Sequence, residues 1–269
     1  MIRRAPAGYV VHEVGGARLV AHQGLAPALQ AALEGQRSLY DWAAAHPARR
    51  ELQGRRPVYS APLSDDGPRV VVRRSRHGGL LAPLLGDFFL TPTRAPGELR
   101  ISLVLAQAGV PTPPVAGYVL YRAGPLLRRV DMVTIELPGH DLGQALREAT
   151  SAERRLPLAR AVAVALGALT QAGAWHPDLN VKNILLVPDD AGELHPAVLD
   201  VDRVSFVPPG DPNLREANFQ RMARSVAKWR ALHGAGFTDD ELEDIRQLLL
   251  RDEAIQAAHR AIAMEEYMP

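Results

Sequence analysis

The stretch WHPDLNVKNILL, residues 175–186, decides how the rest of the chain is interpreted. It places a histidine, an aspartate and an asparagine at the spacing H-x-D-x-x-x-x-N, as His176, Asp178 and Asn183. The apolar periodicity of residues 157–173 predicts a buried helix before it, and the Ile-Leu-Leu run at its end predicts a strand. Three polar side chains are therefore expected on a loop held between a helix and a strand.

A second group of acids follows this loop. Residues 184–187 and 197–199 are predicted to form a hairpin across the turn Pro-Asp-Asp-Ala-Gly-Glu, and the hairpin ends at Asp200. Phosphoryl transfer needs a carboxylate that holds the acceptor hydroxyl in line, together with oxygen ligands for Mg²⁺. Asp178, Asn183 and Asp200 supply that set. Each of them alone has a simpler interpretation as a turn cap or a solvated loop residue, but the group in this order favours phosphoryl transfer.

The composition narrows the function classes. The chain of 269 residues is 47% hydrophobic and 23% charged, as expected of a compact globular protein. A net charge of +1 with 5% aromatic residues argues against a nucleic-acid partner, and the absence of cysteine excludes disulfides and thiolate chemistry. The start of the chain is a poor signal peptide, and the longest uncharged run, residues 101–121, contains three prolines, so no membrane-spanning helix is expected.

The pattern changes at Pro138-Gly139. Before this point the sequence predicts strands over 9–14, 18–22, 58–63, 70–74, 115–122 and 130–137, with helices over 26–45 and 96–108. After it the sequence predicts the helix and hairpin described above, followed by helices over 214–233 and 239–251. We therefore predict an α+β fold with an N-lobe over 1–137, a C-lobe over 138–269 and a cleft between them.

Residues 175–186 resemble the H-x-D-L-N-x-x-N-I-L-L pattern of the lipopolysaccharide core kinases, a group within the protein kinase-like superfamily that includes 3-deoxy-D-manno-octulosonic acid (Kdo) kinases and heptose kinases. LDVDR, residues 199–203, is similar to the D-F-D-R pattern of that family. Weaker similarities are VVVRRSRHGGLL (70–81), GRR (54–56), the helix around Glu98 and EANFQRMARSVAKW (216–229). The resemblance implies a bilobal protein kinase-like fold, with a strand-rich nucleotide-binding N-lobe and a helical C-lobe carrying an inserted catalytic hairpin.

The resemblance also implies roles for the motif residues. Asp178 would be the catalytic base that orients the sugar hydroxyl, Asn183 and Asp200 would bind Mg²⁺, and His176 would brace the catalytic loop from behind. The implied reaction is ATP-dependent phosphorylation of a Kdo or heptose hydroxyl of the lipopolysaccharide inner core, carried on a lipid A precursor. Such an enzyme would be cytoplasmic and peripheral to the inner membrane.

Kinases place a strand lysine on the nucleotide phosphates, and this chain has only Lys182 and Lys228. The family resemblance suggests an arginine at the strand position. Because side chains alternate along a strand, Arg73 and Arg74 face opposite ways and only one can serve; Arg73 is the first choice and Arg74 the alternative. The kinase pattern pairs this cation with Glu98, for which a solvent-facing acid at a helix start is the other interpretation.

No G-x-G-x-x-G precedes the Arg73 strand, and Gly54 is the candidate for the nucleotide loop, with an ordinary turn as the alternative. The short segment between Asp202 and residue 214 leaves no platform for a peptide acceptor. An aminoglycoside-type phosphotransferase is a further possibility, although its cationic acceptors require an acidic pocket and only residues 238–244 are rich in acids. A pseudokinase that binds nucleotide without turnover is the alternative that the missing strand lysine raises.

Overall fold

The chain forms two compact units, one rich in strands and one rich in helices. A computed structural model describes residues 5–52, 57–75, 89–90, 93–208 and 211–251. One unit contains the described residues up to Arg100 and Pro114–Glu136, and the other contains Ile101–Pro113 and the described residues from Leu137 onward. The predicted lobe boundary at residue 137 differs in assigning residues 101–113 to the first lobe. They belong to the second unit because Leu105 and Val110 are buried in its hydrophobic core.

The first unit is built on an antiparallel sheet. Its strands are β1 (Tyr9–Val14), β2 (Ala17–His22), β3 (Arg50–Leu52), β4 (Val58–Pro62), β5 (Arg69–Arg74), β6 (Phe89–Leu90), β7 (Val115–Arg122) and β8 (Leu127–Ile135). They lie in the order β1-β2-β7-β8-β5-β4-β3, with β6 paired to β8. The predicted hairpin of residues 58–63 and 70–74 is confirmed as β4 and β5, with Ser60 opposite Val71.

Two helices cover one face of this sheet: α1 (Ala26–Leu33) and α2 (Leu39–Ala45). The prediction of one continuous helix over 26–45 is wrong. Gly35 adopts a φ of +71°, a left-handed conformation that favours glycine and ends a helix. The Ser38 hydroxyl then accepts a hydrogen bond from the Asp41 N–H at 3.0 Å and caps a new helix.

The second unit is organised around one long helix. Its elements, with the helix α3 that leads into it, are α3 (Ala95–Gln107), β9 (His140–Asp141), α4 (Leu142–Glu148), α5 (Ala152–Gln171), β10 (Ala174–Trp175), β11 (Ile184–Pro188), β12 (Leu194–Val198), a 3₁₀ turn (Val201–Arg203), β13 (Ser205–Phe206), α6 (Pro212–His233) and α7 (Asp239–Arg251). Val162, Leu166 and Leu169 of α5 are buried at the centre of its core. The predicted second hairpin is confirmed as β11 and β12, with Ile184 opposite Val198.

These elements confirm the predicted α+β fold, with strands concentrated in the first unit and helices in the second. Among the residues that the structure describes, none of the helices combines the length and the apolar character that crossing a bilayer requires.

Candidate active site

The loop that carries the sequence motif, residues 176–183, lies between β10 and β11 in the second unit. Its apolar side chains, Leu179 and Val181, are buried in the hydrophobic core, while the polar residues between them are partly exposed. The Val181 N–H donates to the Ser225 hydroxyl at 3.1 Å, and its carbonyl accepts from the Gly143 N–H at 3.1 Å. The core therefore holds the loop backbone, and the side chains of Asp178, Asn180, Lys182 and Asn183 stay partly or fully exposed.

His176 lies beneath the loop and is only 1% exposed. Its Nδ1 accepts a hydrogen bond from the Asp178 N–H at 3.2 Å, and its Nε2 lies 3.0 Å from the Leu199 carbonyl oxygen. A neutral imidazole whose Nδ1 accepts must carry its proton on Nε2, so the Nε2–H donates to Leu199. The ring thereby connects the backbone of Asp178 to the end of β12, which is the geometry expected of a residue that braces the loop.

Two asparagines bind the same carbonyl group. The Asp178 carbonyl oxygen accepts hydrogen bonds from Asn180 Nδ2 and from Asn183 Nδ2, both at 2.8 Å. Because the amide nitrogen of Asn183 is used in this way, its Oδ1 is the atom that can coordinate a cation. The Asp178 side chain is 44% exposed, so its carboxylate is accessible to an acceptor molecule.

Asp200 lies two residues after the hairpin, whose second strand ends at Val198. With φ +57° and ψ +48° it is the one non-glycine residue with positive φ among the described residues, a conformation that aspartate tolerates better than most side chains. The Leu199 N–H donates to the Asn183 carbonyl at 2.9 Å, which brings the backbone on either side of the hairpin together. An amide oxygen from Asn183 and a carboxylate from Asp200 are hard oxygen donors, so the donor set fits Mg²⁺.

One face of α6 binds the loop, and the sequence prediction missed it. Asn218 is fully buried; its Oδ1 accepts from the His176 N–H at 3.3 Å and its Nδ2 donates to the Ala174 carbonyl at 3.0 Å. Arg221 donates from Nε to the Pro177 carbonyl at 2.9 Å and from Nη2 to Asp178 Oδ1 at 2.8 Å. Ser225 completes the face. These three polar side chains lie at i, i+3 and i+7, which places them on one face of a helix. That spacing, within the segment 216–229 that weakly resembles the family, could have indicated this face from the sequence.

Lys182, the lysine of the loop, is directed elsewhere. Its Nζ lies 3.5 Å from Asp141 Oδ2 and 5.1 Å from the centre of the Trp229 ring. The cation that contacts Asp178 is therefore the arginine of α6.

In the first unit, Arg73 and Glu98 form an ion pair between β5 and α3. The Glu98 side chain is 8% exposed and that of Arg73 is 33% exposed. The interpretation of Glu98 as a solvent-facing helix-start acid therefore does not hold. The glutamate is buried against a guanidinium that remains partly accessible, as expected if a second anion is to bind it.

Arg74 points to the opposite face of the sheet, towards α2. Its Nε lies 3.2 Å from Asp131 Oδ1 and its Nη2 lies 2.5 Å from the Ser38 hydroxyl, while the guanidinium stacks 4.5 Å from the Tyr40 ring centre. Burial raises the pKa of Asp131 above its usual value, and the hydrogen bond from the Tyr40 N–H and the charge of Arg74 offset part of that shift. Burial also raises the pKa of Tyr121, and the charge of Asp131 adds to the effect. Arg74 thus belongs to a structural network.

Gly54, the candidate for the nucleotide loop, lies outside the described residues. The same holds for the rest of the GRR segment and for residues 76–81 of the VVVRRSRHGGLL segment.

Comparison with known proteins gives consistent matches. The model of the lipopolysaccharide kinase (Kdo/WaaP) family matches residues 40–248. The 3-deoxy-D-manno-octulosonic acid kinase of Xanthomonas oryzae pv. oryzae is 31% identical over 189 residues, which covers 66% of this chain and 70% of the relative. The enzyme of the same name from Vibrio parahaemolyticus is 28% identical over 193 residues, covering 70% of this chain and 76% of the relative.

Among solved structures, WaaP in complex with acyl carrier protein is similar, with a TM-score of 0.54 at 21% identity. The similarity covers 93% of this chain and 100% of that one. It shows that the two chains share a fold.

Proposed function

Because the chain belongs to the lipopolysaccharide kinase (Kdo/WaaP) family, we propose that it transfers the γ-phosphoryl group of ATP to a Kdo hydroxyl of the lipopolysaccharide inner core. Membership in this family makes the chain a phosphotransferase that acts on a sugar hydroxyl, and it disfavours the aminoglycoside and pseudokinase alternatives. The observation that carries the proposal is the loop of the second unit, in which the Asp178 carboxylate is accessible. Its backbone is held on both sides, because the Asp178 N–H donates to His176 Nδ1 and the Asp178 carbonyl accepts from Asn183 Nδ2.

In this reaction the acceptor oxygen bonds to the γ-phosphorus while the bond from that phosphorus to the bridging oxygen of ADP breaks. Asp178 accepts the hydroxyl proton and holds the nucleophile in line. Asn183 Oδ1 and the Asp200 carboxylate are the groups that would hold Mg²⁺. When bound, that ion would neutralise charge on the phosphate oxygens.

Arg73 is proposed to bind the nucleotide phosphates, with Glu98 holding its guanidinium in place. The support is the ion pair between β5 and α3 and the partial exposure of the arginine. A guanidinium can bind phosphate through two parallel N–H groups, which makes it an effective substitute for a strand lysine. Gly54 remains the predicted residue of the nucleotide loop.

Kdo on a lipid A precursor is proposed as the acceptor, since the relatives from Xanthomonas and Vibrio are named Kdo kinases. A heptose of the same core is the second candidate, because the motif residues are assigned to the acceptor hydroxyl and to Mg²⁺, and neither assignment distinguishes Kdo from heptose. A lipid-linked acceptor of this kind places the reaction at the cytoplasmic face of the inner membrane, with the enzyme in peripheral contact.

The test is transfer of radiolabelled phosphate from ATP, in the presence of Mg²⁺, to Kdo-lipid, heptosyl-lipid and an aminoglycoside in parallel. We expect label on the Kdo-lipid. Label on the heptosyl-lipid alone would reassign the sugar, and label on the aminoglycoside alone would contradict the proposal. Thermal stabilisation by Mg²⁺ and ATP without transfer to any acceptor would identify a pseudokinase.

A further inference from the structure

Resting on the kinase activity proposed above, we infer that Arg221 is a positioning residue that orients the carboxylate of Asp178 towards the acceptor hydroxyl. The arginine comes from α6, outside the catalytic loop. It acts through Asp178 and is not assigned a contact with substrate.

The guanidinium of Arg221 forms a fork across two successive residues. Its Nε donates to the Pro177 carbonyl at 2.9 Å and its Nη2 donates to Asp178 Oδ1 at 2.8 Å. Because the guanidinium is planar, binding the main chain through one nitrogen fixes the direction in which the other nitrogen holds the carboxylate. One oxygen of Asp178 is then occupied, and Oδ2 is the oxygen presented to an acceptor.

The position of Arg221 is itself fixed by the rest of α6. Three residues before it, Asn218 is fully buried and binds the backbone on both sides of Trp175, and Met222 beside it lies in the core. Four residues after it, Ser225 receives the Val181 N–H. The helix therefore docks on the loop at three successive contacts, and this rigid support lets a long side chain act with a defined geometry.

The loop's own cation, Lys182, does not supply the positive charge beside Asp178. Lys182 is held by Asp141 and Trp229, and the amide of Asn180 is bound to the Asp178 carbonyl. The positive charge beside Asp178 therefore comes from Arg221 of α6, while the loop's own side chains, the amides of Asn180 and Asn183, hold its backbone.

The exposure of the pair separates this role from a structural one. The Arg221 and Asp178 side chains are 33% and 44% exposed, and an ion pair this accessible to water contributes little to stability. Removing the guanidinium is therefore expected to lower turnover without a matching loss of thermal stability.

The experiment measures kcat, both KM values and the melting temperature for Arg221→Met, Arg221→Lys and the control Arg224→Gln, which alters an exposed arginine on the same helix. We expect Arg221→Met to lower kcat by about 10-fold to 100-fold while both KM values stay within about 2-fold. Arg221→Lys should recover only part of the lost kcat: the ammonium keeps the positive charge, but it cannot bind the Pro177 carbonyl and the Asp178 carboxylate through one planar group. Arg224→Gln should match the wild type.

Each outcome decides one point. A wild-type kcat in Arg221→Met overturns the inference, as does an unchanged kcat with a raised acceptor KM, which would make Arg221 an acceptor-binding residue. If Arg221→Met melts far below the wild type, the Arg221→Lys variant is used instead. Full activity of Arg221→Lys would overturn the role of the planar guanidinium, and a reduced kcat would support it. Absence of transfer by the wild-type protein itself is a different result, since it overturns the proposed function on which the inference rests.

Discussion

The Arg74–Asp131 and Arg221–Asp178 ion pairs have the same chemistry and different surroundings. Arg74 and Asp131 lie in the first unit, 3.2 Å apart, with the aspartate side chain fully buried. Arg221 and Asp178 lie in the second unit, 2.8 Å apart, with both side chains partly exposed. The two pairs differ far more in burial than in distance: one carboxylate is enclosed by the fold, and solvent reaches the other.

The partners of each pair follow from its environment. Asp131 also accepts the Tyr40 N–H at 2.9 Å, and Arg74 also binds the Ser38 hydroxyl, so the buried charges are surrounded by further hydrogen bonds that tie α2 to the sheet. A buried charge needs such partners because its desolvation is costly. The Asp178 side chain is 44% exposed, so water solvates this carboxylate and it does not need such a set of partners.

The largest expected effect is on turnover at the exposed pair. Asp178→Asn removes the proton acceptor while it keeps the shape of the side chain. We expect kcat to fall by about 10²-fold to 10⁴-fold, with the melting temperature and its increase on addition of ATP preserved. Turnover assays and thermal melting measure this, and near-normal turnover would remove Asp178 from its assigned role.

The same truncation in the two pairs tests the effect of burial on stability. Asp131→Ala removes the fully buried carboxylate opposite Arg74 and leaves the guanidinium only the partly exposed Asp41, 3.4 Å away, as an anionic partner among the described contacts, so we expect the free energy of unfolding to fall by about 3–5 kcal/mol. Asp178→Ala is the matched control, and it should change the free energy of unfolding by less than about 1 kcal/mol. Chemical denaturation of both variants measures the difference. Equal losses would contradict the comparison.

Neighbouring arginines on β5 allow the comparison to be repeated within one strand. Arg73→Met should weaken ATP binding by roughly 10-fold to 100-fold, the equivalent of about 1.5–3 kcal/mol for a hydrogen bond to a charged group. Arg74→Met faces the other side of the sheet, so it should lower stability and leave the ATP Kd close to that of the wild type. Calorimetric titration below the melting temperatures measures the ATP Kd of both variants, and thermal melting measures their stability. Equal weakening of ATP binding would contradict the assignment of faces.

The smallest expected effect is a pH dependence from Asp131. Burial raises the pKa of Asp131 above the ordinary value of 3.8. In the pH window between 3.8, the pKa in the unfolded chain, and the raised pKa in the folded protein, the folded protein therefore binds more protons than the unfolded chain. The contribution of Asp131 to the free energy of unfolding therefore falls as the pH rises through this window. Asp131→Asn lacks the titrating group, so the stability of the wild type relative to this variant should decrease across the window. Urea denaturation of both proteins at a series of pH values measures it, and a relative stability that rises instead would show that Arg74 outweighs burial.

Local patterns predicted much of the fold. Turn residues and apolar runs correctly located both hairpins, β4–β5 and β11–β12, because hairpin formation depends on residues close in sequence. The same reasoning failed for residues 26–45, where apolar spacing indicated one helix. There, Gly35 and Ser38 end one helix and begin another, and such local signals are easily overridden by a continuous apolar pattern.

The candidate site was predicted in part. The H-x-D-x-x-x-x-N spacing identified the loop residues, and strand alternation separated Arg73 from Arg74, which the structure finds on opposite faces. The helix face formed by Asn218, Arg221 and Ser225 was missed, since its members are ordinary surface residue types until their partners are known.

By itself the sequence determined which polar side chains stand together on one loop and one hairpin, namely His176, Asp178, Asn183 and Asp200, and it predicted a phosphoryl-transfer site from them. Only the tertiary structure decided which arginine meets Asp178, because Arg221 lies 43 residues away and reaches the carboxylate through the packing of α6 on the loop. Spacing acts over a few residues, whereas the face that a helix turns towards its neighbours is set by the whole core.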